Sequence, residues 1–158
     1  MGAYPTLLRQ AVKGDLPFLL NSWLNCHRHS YHVRGVDGPV YYEGQRRIVE
    51  ALLKRALVMV ACDKVDPDTI FGWCCSEVVN QDLVIHFMYI RSAFQDHGLG
   101  TLLVREVLEM EPDTERLVYT HQTKAGRSWA DKMAERAPEG PGGKLKVVYD
   151  PFLLYRTL

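Results

Sequence analysis

The stretch Gln95-Asp96-His97-Gly98-Leu99-Gly100-Thr101 holds the residues best placed to do chemistry. A glycine adopts backbone conformations that a side chain forbids, and it lets a ligand come close to the main chain. An apolar, β-rich run over 83–90 precedes the stretch, and a helical run over 99–110 follows it. Strand, glycine turn and helix in that order leave free N–H groups at a helix N-terminus, where the helix dipole is positive. Such a turn suits a phosphate or pyrophosphate. Two common phosphate-binding patterns are excluded. No glycine lies two residues before Gly98, so G-x-G-x-x-G is absent, and no lysine follows Gly100, so G-x-x-x-x-G-K-[ST] is absent. What stands is Q-x-x-G-x-G. A second concentration is Cys26-His27-Arg28-His29-Ser30-Tyr31-His32. Histidine and cysteine are zinc's preferred ligands. The spacing does not match a two-plus-two ligand set, however, and no second cluster exists elsewhere, so the plain alternative is a polar loop.

The surrounding elements follow from pattern. Tyr4 to Gln10 reads as a short extended segment. Asp15 is placed to cap a helix with Pro17 in its first turn, and Leu16, Leu20, Trp23 and Leu24 form its apolar face. Gly35, Gly38 and Pro39 break the chain, and a second helix runs over 42–56 with Ile48, Leu52, Val49 and Leu53 as its stripe. Residues 57–62, 69–79 and 83–90 read as three antiparallel strands joined by the turn-forming runs 63–68 and 80–82. A strand at 117–119 follows the helix at 99–110, parallel to the strand before that helix. A fourth helix over 126–137 and a terminal hairpin of 144–149 with 152–156 close the chain.

Composition sets bounds. The 158 residues are 47% hydrophobic and 24% charged, which suits one globular domain spanning 1–158. Lysine plus arginine equals aspartate plus glutamate, so no general nucleic-acid binding is expected. No apolar run is long enough to span a bilayer, and the start, Met1-Gly2-Ala3-Tyr4-Pro5, does not read as a signal peptide. Cys26, Cys62, Cys74 and Cys75 form no C-x-x-C and read as small apolar residues of a reducing, cytoplasmic protein. Cys74 and Cys75 should face opposite sides of their strand.

The Q-x-x-G-x-G turn, with Phe87-Met88-Tyr89-Ile90 before it and Thr101-Leu102-Leu103 after it, resembles the acyl-CoA loop of the GNAT superfamily of N-acyltransferases, whose pattern is [Q/R]-x-x-G-x-[G/A]. The step Ile70-Phe71-Gly72-Trp73 and the order of elements agree with that superfamily. The resemblance implies an α/β (α+β) fold, with a central mixed, mostly antiparallel sheet, splayed parallel fourth and fifth strands, and about four flanking helices. It implies transfer of an acetyl group from acetyl-CoA to a primary amine by direct attack. The alternative is a non-catalytic protein of the same fold that binds CoA or a protein partner. Main-chain groups of Met88 and Ile90 would meet pantetheine, and the amides of Gln95, Asp96, His97, Gly98, Leu99, Gly100 and Thr101 would hold the pyrophosphate. Arg91 or Lys124 would meet the 3′-phosphate, and Tyr31, His29 and His32 would border the acceptor.

The departures concern the acid and the base. Many members of the superfamily carry Asn-x-x-Ala-x-x-x-Tyr after the fifth strand, and 123–135 contains neither Asn nor Tyr. Many place a Glu base in the fourth strand. Strict alternation there sets Val84, His86, Met88 and Ile90 on one face, which makes His86 the leading base. A core histidine satisfied by hydrogen bonds is the competing reading. Tyr119 and His121, of like parity, are replacement acids, and Glu77 is a weaker base. A homodimer through Trp23, Trp129 or the terminal hairpin is compatible with the sequence but not required by it.

Overall fold

The computed structural model describes residues 4–30, 32–121, 124–136, 139–140 and 143–153. The elements are β1 (Thr6–Gln10), α1 (Leu16–Arg28), α2 (Gly38–Arg55), β2 (Leu57–Asp63), β3 (Ile70–Val79), β4 (Asp82–Ile90), α3 (Leu99–Met110), β5 (Arg116–Tyr119) and α4 (Lys124–Arg136). Three short strands follow, β6 (Glu139–Gly140), β7 (Gly143–Lys144) and β8 (Lys146–Tyr149). The main sheet runs β1-β2-β3-β4-β5-β8. Its first three pairings are antiparallel, and β4–β5 and β5–β8 are parallel. This is the mixed sheet with parallel fourth and fifth strands that the resemblance implies.

Helices cover both faces. Leu19, Trp23 and Leu24 of α1 join Val49 and Leu52 of α2 over Val58, Val60, Trp73, Cys75 and Phe87. Trp23 is fully buried and stacks on Phe87, with ring centroids 5.0 Å apart. On the other face Leu99, Leu103, Val104 and Val107 of α3 and Met133 of α4 pack on Met59, Phe71, Cys74, Leu83 and Ile85. Cys74 and Cys75 thus lie on opposite faces, and all four cysteines are free thiols.

Four local expectations need correction. The buried face of α1 is Leu19, Trp23, Leu24 and His27, while Leu16 is exposed, so the stripe is rotated from the expected one and Trp23 offers no dimer surface. Asp15 precedes α1, but its carboxylate turns back to accept Val12 N–H at 2.8 Å and Arg9 at 2.7 and 3.1 Å. Pro39 begins α2 rather than ending a loop, since a first-turn proline forfeits no helical hydrogen bond. The terminal hairpin is replaced by β8 lying parallel to β5, with Val147 opposite Leu117 and Val148 opposite Val118. Pro151 to Leu153 is helical, and 154–156 lie outside the described residues.

Candidate active site

The site begins with one extra residue in β4. Cys75 pairs with Phe87, and the next residue, Ser76, pairs with Ile85, so His86 is bulged out of the ladder. A bulge shifts the side-chain parity and bends the strand. Leu83 and Ile85 before it, and Met88 and Ile90 after it, all pack on the α3 face, whereas Phe87 packs under α1. The expected common face of Val84, His86, Met88 and Ile90 is therefore broken, and His86 is not aligned with the residues that follow it.

The bulge also ends the pairing of β4 with β5. That ladder runs from Asp82–Arg116 to Ile85–Tyr119 and closes with Thr120 N–H donating to the Ile85 carbonyl at 3.1 Å. Past it, β4 pairs with β3 alone. Arg91 N–H donates to the Phe71 carbonyl, so in an antiparallel ladder Tyr89 and Phe87 also turn their polar groups to β3. Met88 and Ile90 then turn theirs to the open edge. Gln95 Nε2 takes up the Ile90 carbonyl at 3.0 Å, which ties the glycine turn to the strand end.

The turn itself is strained where glycine removes the strain. Gly98, at the N-cap of α3, has φ +79°, and an added Cβ there would meet nothing within 4 Å. Asp96 also takes positive φ, at 64°. The first helical bond in this turn is Leu102 N–H to the Gly98 carbonyl. The N–H groups of Gly98, Leu99, Gly100 and Thr101 therefore have no helical acceptor and face outward at the positive end of α3.

Edge and turn border one cleft of about 650 Å³. Phe18, Asn21, Ser22, Asn25 and Cys26 of α1 line one side, and Ser128, Trp129 and Lys132 of α4 the other. Met88, Tyr89, Ile90, Gln95, Asp96, Gly98, Leu99 and Gly100 lie between them. Because α1 and α4 cover opposite faces of the sheet, the cleft crosses the sheet where β4 leaves β5. Trp129 Nε1 is buried with no hydrogen-bond partner, and a Cβ on Gly100 would lie 3.1 Å from it. Sequence reasoning missed Trp129 and Lys132 as cleft residues. Their spacing of three in a helix puts them on one side of α4, which is the available signal.

The other anticipated residues are dispersed. His86 is fully buried outside the cleft lining, with Nε2 2.8 Å from Glu77 Oε1 and Nδ1 3.1 Å from Thr120 Oγ1. Burial lowers its pKa, and Glu77 acts in the opposite sense. Tyr119 packs on the α3 face with its ring 5.1 Å from Tyr149. His121 lies under α1 and α2, its ring 4.8 Å from His27 and 5.5 Å from Trp23. Shared parity does not hold for this pair, because β5 ends at Tyr119. Burial, then the neighbouring His27 and His86, pushes His121 well below the ordinary histidine range. His29 is exposed at the end of α1, and His32 meets the Tyr149 hydroxyl at 3.3 Å. Neither lines the cleft, and Tyr31 lies outside the described residues. Among the described residues no group of three or more His, Cys, Asp or Glu is arranged to hold a metal ion. Arg91 donates to the Ile70 carbonyl, and the Lys124 side chain lies outside the described residues. No helix among the described residues is long and apolar enough to cross a membrane.

A splayed edge running into a glycine-bearing helix start is the arrangement that the resemblance leads one to expect. The chain belongs to the acetyltransferase (GNAT) family, whose family model matches residues 19–136. Among solved structures it is similar to the PaiA N-acetyltransferase of Thermoplasma acidophilum in complex with coenzyme A. The identity is 15%, with a TM-score of 0.58 over 88% of this chain and 94% of that one. It is also similar to an acetyltransferase of the GNAT family from Staphylococcus aureus Mu50, at 11% identity and a TM-score of 0.61 over 84% and 83% of the two chains. No curated protein matches the chain. Family membership makes it an acyl-transfer enzyme using a CoA-based donor.

Proposed function

We propose that this enzyme transfers an acetyl group from acetyl-CoA to a primary amine by direct attack. The reading is carried by the open edge of β4 at Met88 and Ile90, which a short turn over Ser92–Phe94 and the Gln95 side chain join to the free amides that begin at Gly98. Pantetheine lies along the edge, using both main-chain groups of Met88 and the N–H of Ile90. The free amides of Gly98, Leu99, Gly100 and Thr101 take the pyrophosphate, with Asp96 and His97 beside them, whereas Gln95 N–H is already donated to the Ser92 carbonyl at 3.4 Å and is not available as expected. Lys132 offers a cation in the cleft, and the unpartnered Trp129 N–H offers a donor beside Met88. The acceptor amine approaches from α1, where Asn21 and Asn25 line the cleft; the Ser22 hydroxyl beside them is spent on the Phe18 carbonyl and Trp73 Nε1. Its nitrogen attacks the thioester carbonyl, the C–S bond breaks, CoA leaves as the thiolate, and the amine gives up one proton to a base. Holding amine and thioester in line supplies much of the rate. Free thiols suit a cytoplasmic enzyme of one domain.

Calorimetry with acetyl-CoA and CoA tests the cofactor claim. Micromolar binding that Gly98→Glu abolishes is expected, since the carboxylate enters the anion site and a non-glycine residue resists φ +79°. Absence of binding by the folded protein would sink the reading. Binding without turnover of any polyamine or peptide amine would favour the non-catalytic alternative.

A further inference from the structure

Six polar groups run in one file through the α1–α2 side of the sheet. Arg55 forks onto Glu77 at 3.0 and 3.1 Å, and Glu77 Oε1 meets His86 Nε2 at 2.8 Å. His86 Nδ1 lies 3.1 Å from Thr120 Oγ1, which lies 3.1 Å from His121 Nδ1. His121 Nε2 lies 3.3 Å from Gln45 Nε2. His86 and Thr120 are buried, while Glu77 and His121, on either side of that pair, keep partial exposure.

Donor and acceptor roles along this file follow from its first member. Glu77, forked by Arg55, is held as a carboxylate below its ordinary range by His86 and Arg55 against the opposing effect of burial. A carboxylate only accepts, so His86 Nε2 carries a proton. Neutral His86 must then accept at Nδ1, and the Thr120 hydroxyl must donate to it. Thr120 Oγ1 is left to accept from His121 Nδ1–H. His121 Nε2 therefore presents its lone pair. Gln45 Nε2, which has only hydrogens to offer, agrees with that from the far end.

We infer that this file is a proton relay. His121 is the group that takes the proton from the acceptor amine, and Thr120, His86 and Glu77 are positioning residues behind it. The inference rests on the acetyltransferase reading. His121 stands one residue deeper than the cleft on three elements. Its ring contacts are Trp23, which follows Ser22; His27, which follows Cys26; and Phe87, which precedes Met88. The incoming amine displaces Gln45 and gives its proton to His121 Nε2. His121 passes its Nδ1 proton to Thr120, and Thr120 passes its own to His86 Nδ1. The result is a neutral His121 and a His86 imidazolium against the Glu77 carboxylate. The gain is electrostatic. Gln45, Thr120, Trp23, Phe87 and two histidines face His121, with no carboxylate among the described residues, whereas His86 has one in hydrogen-bond contact.

The test is Thr120→Val, which removes the hydroxyl and keeps the buried volume, with Thr120→Ser as rescue. In ¹⁵N-histidine NMR the wild-type protein should show His86 as the Nε2–H tautomer and His121 as the Nδ1–H tautomer, and acid should protonate His86 first. With the best amine of the acceptor screen, Thr120→Val should lower kcat/KM by at least about tenfold. Its acid limb should move to lower pH, because the proton must rest on His121 without a counter-ion, and Thr120→Ser should restore both. A wild-type His121 in the Nε2–H form, or a Thr120→Val variant with unchanged rate and pH profile, overturns the relay. If CoA binds and no amine turns over, the acetyltransferase reading fails by itself, and the relay is decided by the tautomers and the order of protonation.

Discussion

Gly72→Ala is the substitution whose consequence the structure defines most sharply. Gly72 of β3 stands opposite Ile90 of β4, and a Cβ there would lie 2.5 Å from Ile90 Cδ1 and 2.6 Å from the Tyr89 carbonyl oxygen. The Ile90 methyl sits at the end of a rotatable side chain and can swing away. The Tyr89 oxygen is main chain, and it must recede by roughly 0.8 Å to reach ordinary contact at 3.4 Å. That displacement falls on the segment of β4 whose open edge, at Met88 and Ile90, is the proposed cofactor edge. Overpacking of this kind costs about 2–3 kcal/mol. For a chain of this size the loss lowers Tm by roughly 4–12 °C. Thermal and urea unfolding measure the stability, and calorimetry with CoA measures the edge. Adding Ile90→Val removes the Cδ1 contact but leaves the carbonyl contact, so the double variant should recover only part of the loss. Full recovery, or a Gly72→Ala protein with wild-type Tm and CoA affinity, would refute the argument that the main-chain contact requires this glycine.

Acid should destabilise the fold through its buried histidines. Burial, aided by His32, pushes His27 from 6.5 down to about 4. The unfolded chain therefore takes a proton that the native one refuses as pH falls from 6.5 toward 4. The stability present above pH 6.5 is lost across that window, on the order of 3 kcal/mol from His27 alone. His86 and His121 are shifted in the same direction and add to it. Urea midpoints measured from pH 7.5 to 4.5 should fall steadily, and a flat profile would contradict the burial. Trp129→Phe keeps an aromatic ring but removes the five-membered ring that carries the unpartnered Nε1, so acetyl-CoA affinity should drop, by about tenfold at most, with a small fall in Tm from the lost packing. An unchanged calorimetric Kd would mean that this donor does not reach the cofactor.

The parts of the site that were legible in the sequence are local. Q-x-x-G-x-G lies between its strand and helix, and φ +79° at Gly98 is the conformation that a glycine there supplies. Helix positions were less secure at their edges. Leu19, Trp23 and His27 recur every four residues, which signals the buried face of α1, but the more apolar Leu16 and Leu20 draw the stripe a few residues aside. β8 was misread because Lys146 to Tyr149 pairs with a strand some thirty residues earlier, and four residues carry no mark of parallel or antiparallel partnership. The bulge left no trace either, since Val84 to Ile90 fits an alternating strand as well as a bulged one, and the extra residue shows only in the register of β3.

That one residue has opposed consequences for the two halves of the site. By ending the β4–β5 ladder at Ile85, it opens the edge at Met88 and Ile90 on which the proposed cofactor binding depends. By changing parity, it sends His86 away from that edge and into contact with Glu77 and Thr120. Across the bulge the β4 residues that share a face with Met88 are Leu83 and Ile85, and neither side chain titrates. In the proposed relay the proton leaves through a group outside β4. His121, just past the end of β5 and joined to His86 by a single hydroxyl, occupies that place.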